Sequence, residues 1–434
     1  MLTCKRIPIG FRQLARRHVS SYRNAEVILG IETSCDDTAV ALVTADYKIL
    51  ENVRVTHRAA QNSLGGICPS VSADQHRSVI DGLVVECLQR QRIRTPDLRA
   101  VAVSDRPGLV ICLKTGIDKA LSVARDARLD VIPVHHMRAH AMTPFLTDQR
   151  LMFPFVCLLI SGGHSLLCLA HDPENFEVFG ESIGGSPGET FDKIGRELRL
   201  HEMKEFSNIH LGSAIEILAR RSNDISKYPL KHFPHTHGAD FDFLTIKSMF
   251  MSMIHSIKSE IDLPAFCSNL TFSVTAHLCA KLHAGLECIL ERYRPQQLVI
   301  SGGVAANQYI FKSIAKICTH YKLETIVPPT NLCTDNAAMI AAAAWKMLEH
   351  KFVYHIVRTD LSFFCRSNSV IPYSDLPSSL YAHARVPIGE SYKENLPKYP
   401  KKRLSLKSVH GEVLWFSTMG DECLLRKAEN DLVI

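Results

Sequence analysis

The sequence predicts a duplicated α/β fold, and two observations carry that expectation. An apolar run, a polar tip and a second apolar run occur in series twice: VILGI, ETSCDD and TAVALV from residue 27, then FVCLLI, SGGH and SLLCLA from residue 155. Strand and helix signals alternate after each pair, RAVAVS (99–104) before GIDKALSVARDA and QLVISGG (297–303) before NQYIFKSIAKICTHY. Short apolar runs bounded by turn residues read as strands. Their alternation with helices marks an α/β class, and their recurrence a doubled domain. The length of 434 residues agrees, since single cores rarely grow so large.

Apolar residues make up 46% of the chain and charged residues 22%, an ordinary globular balance. AAMIAAAAW (337–345) falls well short of the roughly 18 apolar residues of a membrane helix, so a soluble protein without a membrane span is expected. The first 25 residues hold Lys5, Arg6, Arg12, Arg16, Arg17 and Arg23, no acid, and Ser20 and Ser21. Such a leader reads as a mitochondrial transit peptide over 1–25, with a disordered basic tail as the alternative. Setting those six aside leaves 44 basic residues against 44 acidic ones, so any nucleic-acid surface must be a local patch. The 14 cysteines contain no CxxC pair, and Cys112, Cys157, Cys168 and Cys279 sit in apolar runs. That pattern fits reduced core thiols in a reducing compartment such as cytosol or matrix.

In chain order, the first strand pair carries Asp36 and Asp37 at its tip, where exposed carboxylates are expected. VHHMRAHAM (134–142) follows, with His136 and His140 four residues apart. On a helix that spacing sets both imidazoles on one face, suited to one metal ion with positions left for a third group. Surface or capping histidines share the spacing. A zincin would have Glu after the first histidine, and Met137 stands there. At the second tip, Gly162 and Gly163 lack a Cβ, so their N–H groups can approach phosphate oxygens; SGGV (301–304) offers the same, aided by a helix N-terminus. The alternative for each is a tight turn needing positive φ. From 200 to 260 the chain reads as helical and rich in histidine (His201, His210, His232, His235, His237), too irregularly spaced for a metal store. Beyond 350, IPYSDLPSSL and the basic KYPKKRLSLK (398–407) read as a solvated tail, with tRNA or phosphate contact as the alternative.

A duplication with a polar hairpin tip at the head of each half resembles the actin-like ATPase and sugar-kinase (ASKHA) superfamily, which implies two lobes whose tips face each other across a central nucleotide cleft. More narrowly, GIETSCDDTAVAL (30–42), HHMRAH (135–140), LISGGHSLL (159–167), ETFDKIGREL (189–198), SGGVAANQ (301–308) and CTDNAAMIA (333–341) resemble, in order, the signature blocks of the TsaD/YgjD family of tRNA threonylcarbamoyladenosine synthases, especially its mitochondrial branch. The resemblance runs from about Val27 to Gly389. It implies transfer of threonylcarbamoyl from threonylcarbamoyl-AMP to N6 of adenosine 37 in tRNAs reading codons that begin with A, in the mitochondrial matrix. It also implies a homodimer working without accessory subunits.

Carried over by motif, His136, His140 and Asp335 become ligands of one divalent metal ion per subunit, zinc or iron. Ile160, Ser161, Gly162, Gly163 and His164 resemble the loop that holds the acyl-adenylate. Asp192, with Gly212 and Glu216, resembles the ribose contacts, Ala306 and Asn307 the adenine contacts, and Thr334 lies beside the metal. Acyl transfer to an exocyclic amine needs a base, and His164, Asp36 and Asp37 are candidates, with Lys193 a further substrate-side residue. The chain departs from the usual bacterial pattern at Gly184-Gly185, at Arg106-Pro107-Gly108-Leu109 and at PSVSAD (69–74), expected to lie outside the metal and adenylate blocks and to alter partner surfaces or tRNA contacts more than activity. The expected division is a presequence (1–25), a first lobe (26–148), a second lobe (149–350), a segment completing the fold (351–389) and a basic, partly disordered extension (390–434). A metalloprotease, a sugar kinase or ATPase of the same superfold, and a non-catalytic binding protein are the competing functions.

Overall fold

The computed structural model describes residues 26–56, 67–207, 209–222, 224–230, 233–234, 236–257, 260–350 and 370–396. The expected presequence, residues 351–369, His232, His235 and the basic stretch 398–407 lie outside the described residues. The first elements are β1 (Val27–Glu32), β2 (Asp37–Thr44), β3 (Ile49–Thr56), α1 (Pro69–Gln91), β4 (Ala100–Arg106), α2 (Val110–Ala127), β5 (Asp130–His135) and α3 (His136–Met142). Next come β6 (Phe155–Ile160), β7 (Ser165–Ala170), β8 (Phe176–Gly184), α4 (Pro187–Glu197), α5 (Leu211–Ala219), β9 (Phe241–Asp242), α6 (Phe243–Ser256) and α7 (Leu263–Arg292). The series ends with β10 (Gln297–Ser301), α8 (Gln308–His320), β11 (Glu324–Ile326), α9 (Thr330–Cys333), α10 (Ala337–Glu349) and β12 (Glu390–Ser391).

Two compact units result, residues 1–146 with 335–386, and 147–334 with 387–434. Their sheets share one plan. The first orders its strands β3-β2-β1-β4-β5, and the second β8-β7-β6-β10-β11 with β12 added beside β8. In each, a three-stranded antiparallel meander meets two parallel strands: β1 pairs antiparallel with β2 and parallel with β4, as β6 does with β7 and β10. The duplication expected from the repeated pattern is therefore present, as a five-stranded order used twice.

Local sequence explains the strands. β1 and β4 are buried at every position, as near-continuous apolar runs are when helices cover both faces of a sheet. Ile28, Leu29 and Ile31 are fully buried, each worth about 1.5–3 kcal/mol. β3 (ILENVRVT) interleaves Glu51 and Arg54 with its apolar residues and forms the edge of its sheet. In the second unit α7, apolar nearly all round, is buried along most of its length, and Thr275 Oγ1 returns a 2.7 Å hydrogen bond to Thr271 O. Within 200–260, α5 and α6 are helical, while the described residues of 224–240 form no helix.

The units do not follow the expected boundaries at 148 and 350. α10 packs on β1, β2 and α3 of the first unit. Gly30 allows it: a Cβ there would lie 2.3 Å from the Ala337 carbonyl oxygen, and the alanines of AAMIAAAAW bring the helix close. Trp345 Nε1 then donates to Val43 O at 3.0 Å. Ile371 bridges Val131 in the first unit, whereas residues from 387 rejoin the second, where β12 pairs with β8. The described part of the segment 351–389, from residue 370, is thus divided between the units. All eleven described cysteines are free thiols, mostly buried, as expected.

Candidate functional site

In the first unit the functional residues gather at the C-terminal ends of the parallel strands. β5 ends at His135 and continues directly into α3, which begins at His136. One turn of this helix sets His136 and His140 side by side, ring centroids 4.7 Å apart and edge to face, while Met137 is buried. Asp335 arrives from far along the chain. Asn336 caps α10 by accepting from the Met339 N–H at 3.0 Å, and this fixes the residue before it. Asp335 Oδ1 lies 3.0 Å from His140 Nε2 and 3.6 Å from His136 Nε2. Ligand atoms of all three residues lie within 4.8 Å of one another, a spacing found for no other His, Cys, Asp or Glu group among the described residues. Two imidazoles and one carboxylate at that spacing fit a divalent ion of the zinc or iron type.

Electrostatics support the same fit. Burial pushes His136 down, but Glu32 and Asp335 on its two sides outweigh burial and raise it to about 9. A cation bound there takes over the role of that proton, so the pair of carboxylates is matched to positive charge. Glu32 is itself held below its usual value: burial opposes this, and His136 overcomes it. Glu32 was not singled out by sequence reasoning although it stands within the GIETSCDD block.

Three expectations about this unit need correction. Asp37 is not an exposed tip residue. It opens β2, its side chain is 15% exposed, it accepts from Thr56 Oγ1, and it lies 3.6 Å from Arg54 Nη1. Burial raises its carboxyl to about 6. Asp36 beside it is half-buried. The tip is held by a second residue that sequence reasoning missed, His76 of α1, with Nδ1 2.7 Å from Thr38 Oγ1 and Nε2 3.1 Å from Cys35 O. Nor do the residues from Arg106 to Leu109 stand apart from the metal block. The Leu109 N–H donates to Ser34 O at 2.8 Å, and a Cβ on Gly108 would meet that same oxygen at 2.6 Å. Arg106, 6% exposed and paired with buried Asp105, is not a partner surface.

The second unit brings most of the expected adenylate residues together. β6 ends at Ile160, and Ser161 to His164 form the tip, with Gly162, Gly163 and His164 exposed. Ideal Cβ atoms on Gly162 and Gly163 would meet nothing within 4 Å, and neither residue has positive φ. Their glycines leave open space, which is what close approach of a ligand requires. Gly302, at φ +99, is where the turn demands glycine, and its Cβ would lie 2.3 Å from Ile160 O. The N-terminus of α4 backs the tip: Ser186 Oγ donates to Gly162 O at 2.6 Å and the Gly188 N–H to Ser161 O at 3.3 Å.

Asp192 on α4 lies 3.6 Å from His210 Nε2, and His210 Nδ1 accepts from the Gly212 N–H at 3.2 Å. Burial raises the Asp192 carboxyl, with His210 and Arg196 opposing. Glu216 pairs with Arg220 and accepts from the Gln308 N–H at 3.0 Å, tying α5 to the start of α8. Ala306 ends a short 3-10 turn after β10, and Thr334 stands beside Gly303, 3.8 Å from the place of its Cβ. The helix N-terminus expected to serve SGGV does not open there. α8 starts at Gln308, and Asn307 Oδ1 accepts the N–H groups of Tyr309 and Ile310 at 3.0 and 3.1 Å. Lys193 is half-exposed and ion-paired to Glu189 at 2.9 Å, which also holds Lys247.

One strand order used twice thus carries a His/His/Asp group at metal-ligand spacing in the first unit and an open glycine tip in the second. Residues 48–342 match the family described as "TsaD: tRNA N6-adenosine threonylcarbamoyltransferase". A Caenorhabditis elegans relative called a probable mitochondrial tRNA N6-adenosine threonylcarbamoyltransferase is 42% identical over 92% of this chain and 93% of its own. The mitochondrial tRNA N6-adenosine threonylcarbamoyltransferase of Danio rerio is 34% identical over 79% of this chain and 87% of its own, and the tRNA N6-adenosine threonylcarbamoyltransferase of Streptococcus suis is 36% identical over 73% and 91%. A Streptomyces griseus ROK family glucokinase of known structure is 12% identical, with a TM-score of 0.39 over 73% of this chain and 98% of its own. The chain belongs to the tRNA N6-adenosine threonylcarbamoyltransferase family, and it is a transferase. None of these relatives favours the protease or non-catalytic alternatives. No described helix is long and apolar enough to cross a membrane.

Proposed function

We propose that this chain transfers the threonylcarbamoyl group from threonylcarbamoyl-AMP to N6 of adenosine 37 in mitochondrial tRNAs reading codons that begin with A. The observation that carries the reading is the convergence of His136, His140 and Asp335 on one point in a chain of this family. Its place is the mitochondrion, like that of the worm, fly, fish and plant relatives named mitochondrial, and within it the matrix. Those three residues would hold one divalent ion per subunit, zinc or iron, and the ion would supply Lewis-acid stabilisation of developing negative charge.

The chain's own groups do the rest. The open space beside Gly162 and Gly163 admits phosphate oxygens to the tip backbone, where the Ser161 N–H is held by His164 O at 2.9 Å and the Gly163 N–H by Ser161 Oγ at 3.3 Å, so the Gly162 N–H is the donor offered. Asp192, Gly212 and Glu216 hold the ribose, Ala306 and Asn307 border the adenine, and Ile160, His164 and Thr334 complete the binding set. N6 attacks the carbamoyl carbon, the bond to the phosphate oxygen breaks, and AMP departs with the electron pair. The proton leaving N6 needs an acceptor. Asp37, raised by burial to about 6, is ionised at neutral pH and basic enough to serve. Asp36, His164 and Lys193 are the other candidates. Association of two copies as a homodimer completes the reading.

The test is the reaction itself. The full chain, given synthetic threonylcarbamoyl-AMP and unmodified mitochondrial tRNA, should yield threonylcarbamoyladenosine at position 37 by nucleoside mass spectrometry, and should sediment as a dimer. No product with the metal-loaded chain overturns the reading.

A further inference from the structure

We propose that Glu32 is a positioning residue for the metal centre: it holds His136 with the Nδ1 proton turned inward, so that Nε2 faces Asp335. The argument starts from the two ring nitrogens. His136 Nδ1 lies 3.1 Å from Glu32 Oε2, and Nε2 lies 3.6 Å from Asp335 Oδ1. A carboxylate only accepts, so the ring atom facing Glu32 carries hydrogen, and the neutral ring then has its lone pair on Nε2, where a cation would be held. A carboxylate behind a ligating histidine fixes its tautomer and ring angle and raises its basicity.

Glu32 is built to do this without moving. It is the last residue of β1, a central strand between β2 and β4, and is 1% exposed. Its Oε1 accepts the Ser34 N–H at 2.5 Å, which leaves Oε2 for the imidazole. Ser34 Oγ lies 3.2 Å from the same Nδ1 and completes the clamp. Among the described residues His140 has no such counterpart: its Nδ1 is buried without a hydrogen-bond partner there, while Nε2 contacts Asp335. One ligand is preset from behind, and the other is not.

This inference rests on the metal reading, and the experiment separates the two. Zinc affinity of the metal-free full chain is measured by competition with a chromogenic chelator, alongside its melting temperature, for the parent, Glu32→Gln and Glu32→Asp. Glutamine removes the charge and can offer its amide N–H₂ to Nδ1, and aspartate keeps the charge but withdraws it from the ring. Zinc affinity should fall about 10–100-fold in Glu32→Gln and less in Glu32→Asp, with the metal-free melting temperature of at least one variant close to that of the parent. A parent that binds zinc while both variants bind it equally well overturns the role of Glu32 and leaves the metal reading standing. A lowered melting temperature with unchanged zinc affinity, or loss of the fold in both variants, assigns Glu32 to the fold and likewise overturns it. A parent that takes up neither zinc nor ferrous iron overturns the metal reading and this inference with it.

Discussion

The two units use one strand order to present opposite chemistry at equivalent ends. In the first, β1 ends on Glu32, β4 on the buried Asp105–Arg106 pair, and β5 on His135 leading to His136 and His140. In the second, β6 ends on a tip with two exposed glycines, β10 runs into Gly302 and Gly303, and β11 into the short turn before Thr334. Charged and imidazole side chains replace one another's hydration in the first; bare backbone stands at the surface in the second. A duplicated scaffold fixes where chain ends emerge, and the residues placed there decide whether the ends hold a cation or face an anion. The closely fitting glycines differ accordingly. Gly30 and Gly108 make room for backbone that carries or seats the His/His/Asp residues, whereas Gly188 and Gly302 let backbone pack against the glycine tip.

The largest expected effect breaks the first half of this contrast. His140→Ala should remove bound metal and lower tRNA modification by about a hundredfold or more, with circular dichroism unchanged; a variant modifying tRNA at the parent rate would sink the ligand assignment. Next is Asp37. Its raised carboxyl must be ionised to accept a proton, so activity should rise as pH increases through about 6 and fall below it. Asp37→Asn should lose about 10²-fold in kcat and that limb of the profile together. A retained limb would reassign the base.

Two glycine substitutions sharpen the comparison by crossing it. Gly30→Ala forces a Cβ to 2.3 Å from Ala337 O, and Gly188→Ala forces one to 2.7 Å from Gly162 Cα. Each should destabilise by about 1–3 kcal/mol. Gly30→Ala should lower metal content and spare adenylate binding, and Gly188→Ala should do the reverse. The same defect from both would refute the division of labour. The smallest effect concerns stability. His277 is buried, its Nε2 accepts the Asp242 N–H at 2.9 Å, and burial lowers it to about 3. Folded protein keeps it neutral while the unfolded chain takes up a proton below about 6.5, so the stability it gives is present above that pH and lost on acidification. Calorimetry should find about 1.4 kcal/mol lost per pH unit from 6.5 downward at this position, and a flatter slope in His277→Gln.

How far the sequence was legible varies by region. The doubled fold was, because buried parallel strands demand long apolar runs and hairpin tips demand polar breaks, and both leave local patterns. The histidine pair was, because helical spacing is local. The boundary of the units was not: α10 follows the second unit's strands in the chain, and only the close approach at Gly30 assigns it to the first. Glu32 escaped notice for a related reason. A glutamate ending an apolar strand resembles a surface residue until the imidazole 104 positions later is folded against it. Arginine is usually a surface residue, and it is the ion pair with Asp105 that makes the burial of Arg106 possible.

By itself the sequence determined the family, the strand–tip–strand repeat, and the identity of His136, His140 and Asp335, since these reside in residue types and near spacings. Tertiary structure alone decided which carboxylate stands behind which nitrogen, that Asp37 is buried enough to hold a proton to about 6, and that Asn307 and Glu216 occupy the N–H groups at the start of α8. Those properties depend on burial and on distances between residues remote in the chain, and no local pattern encodes either.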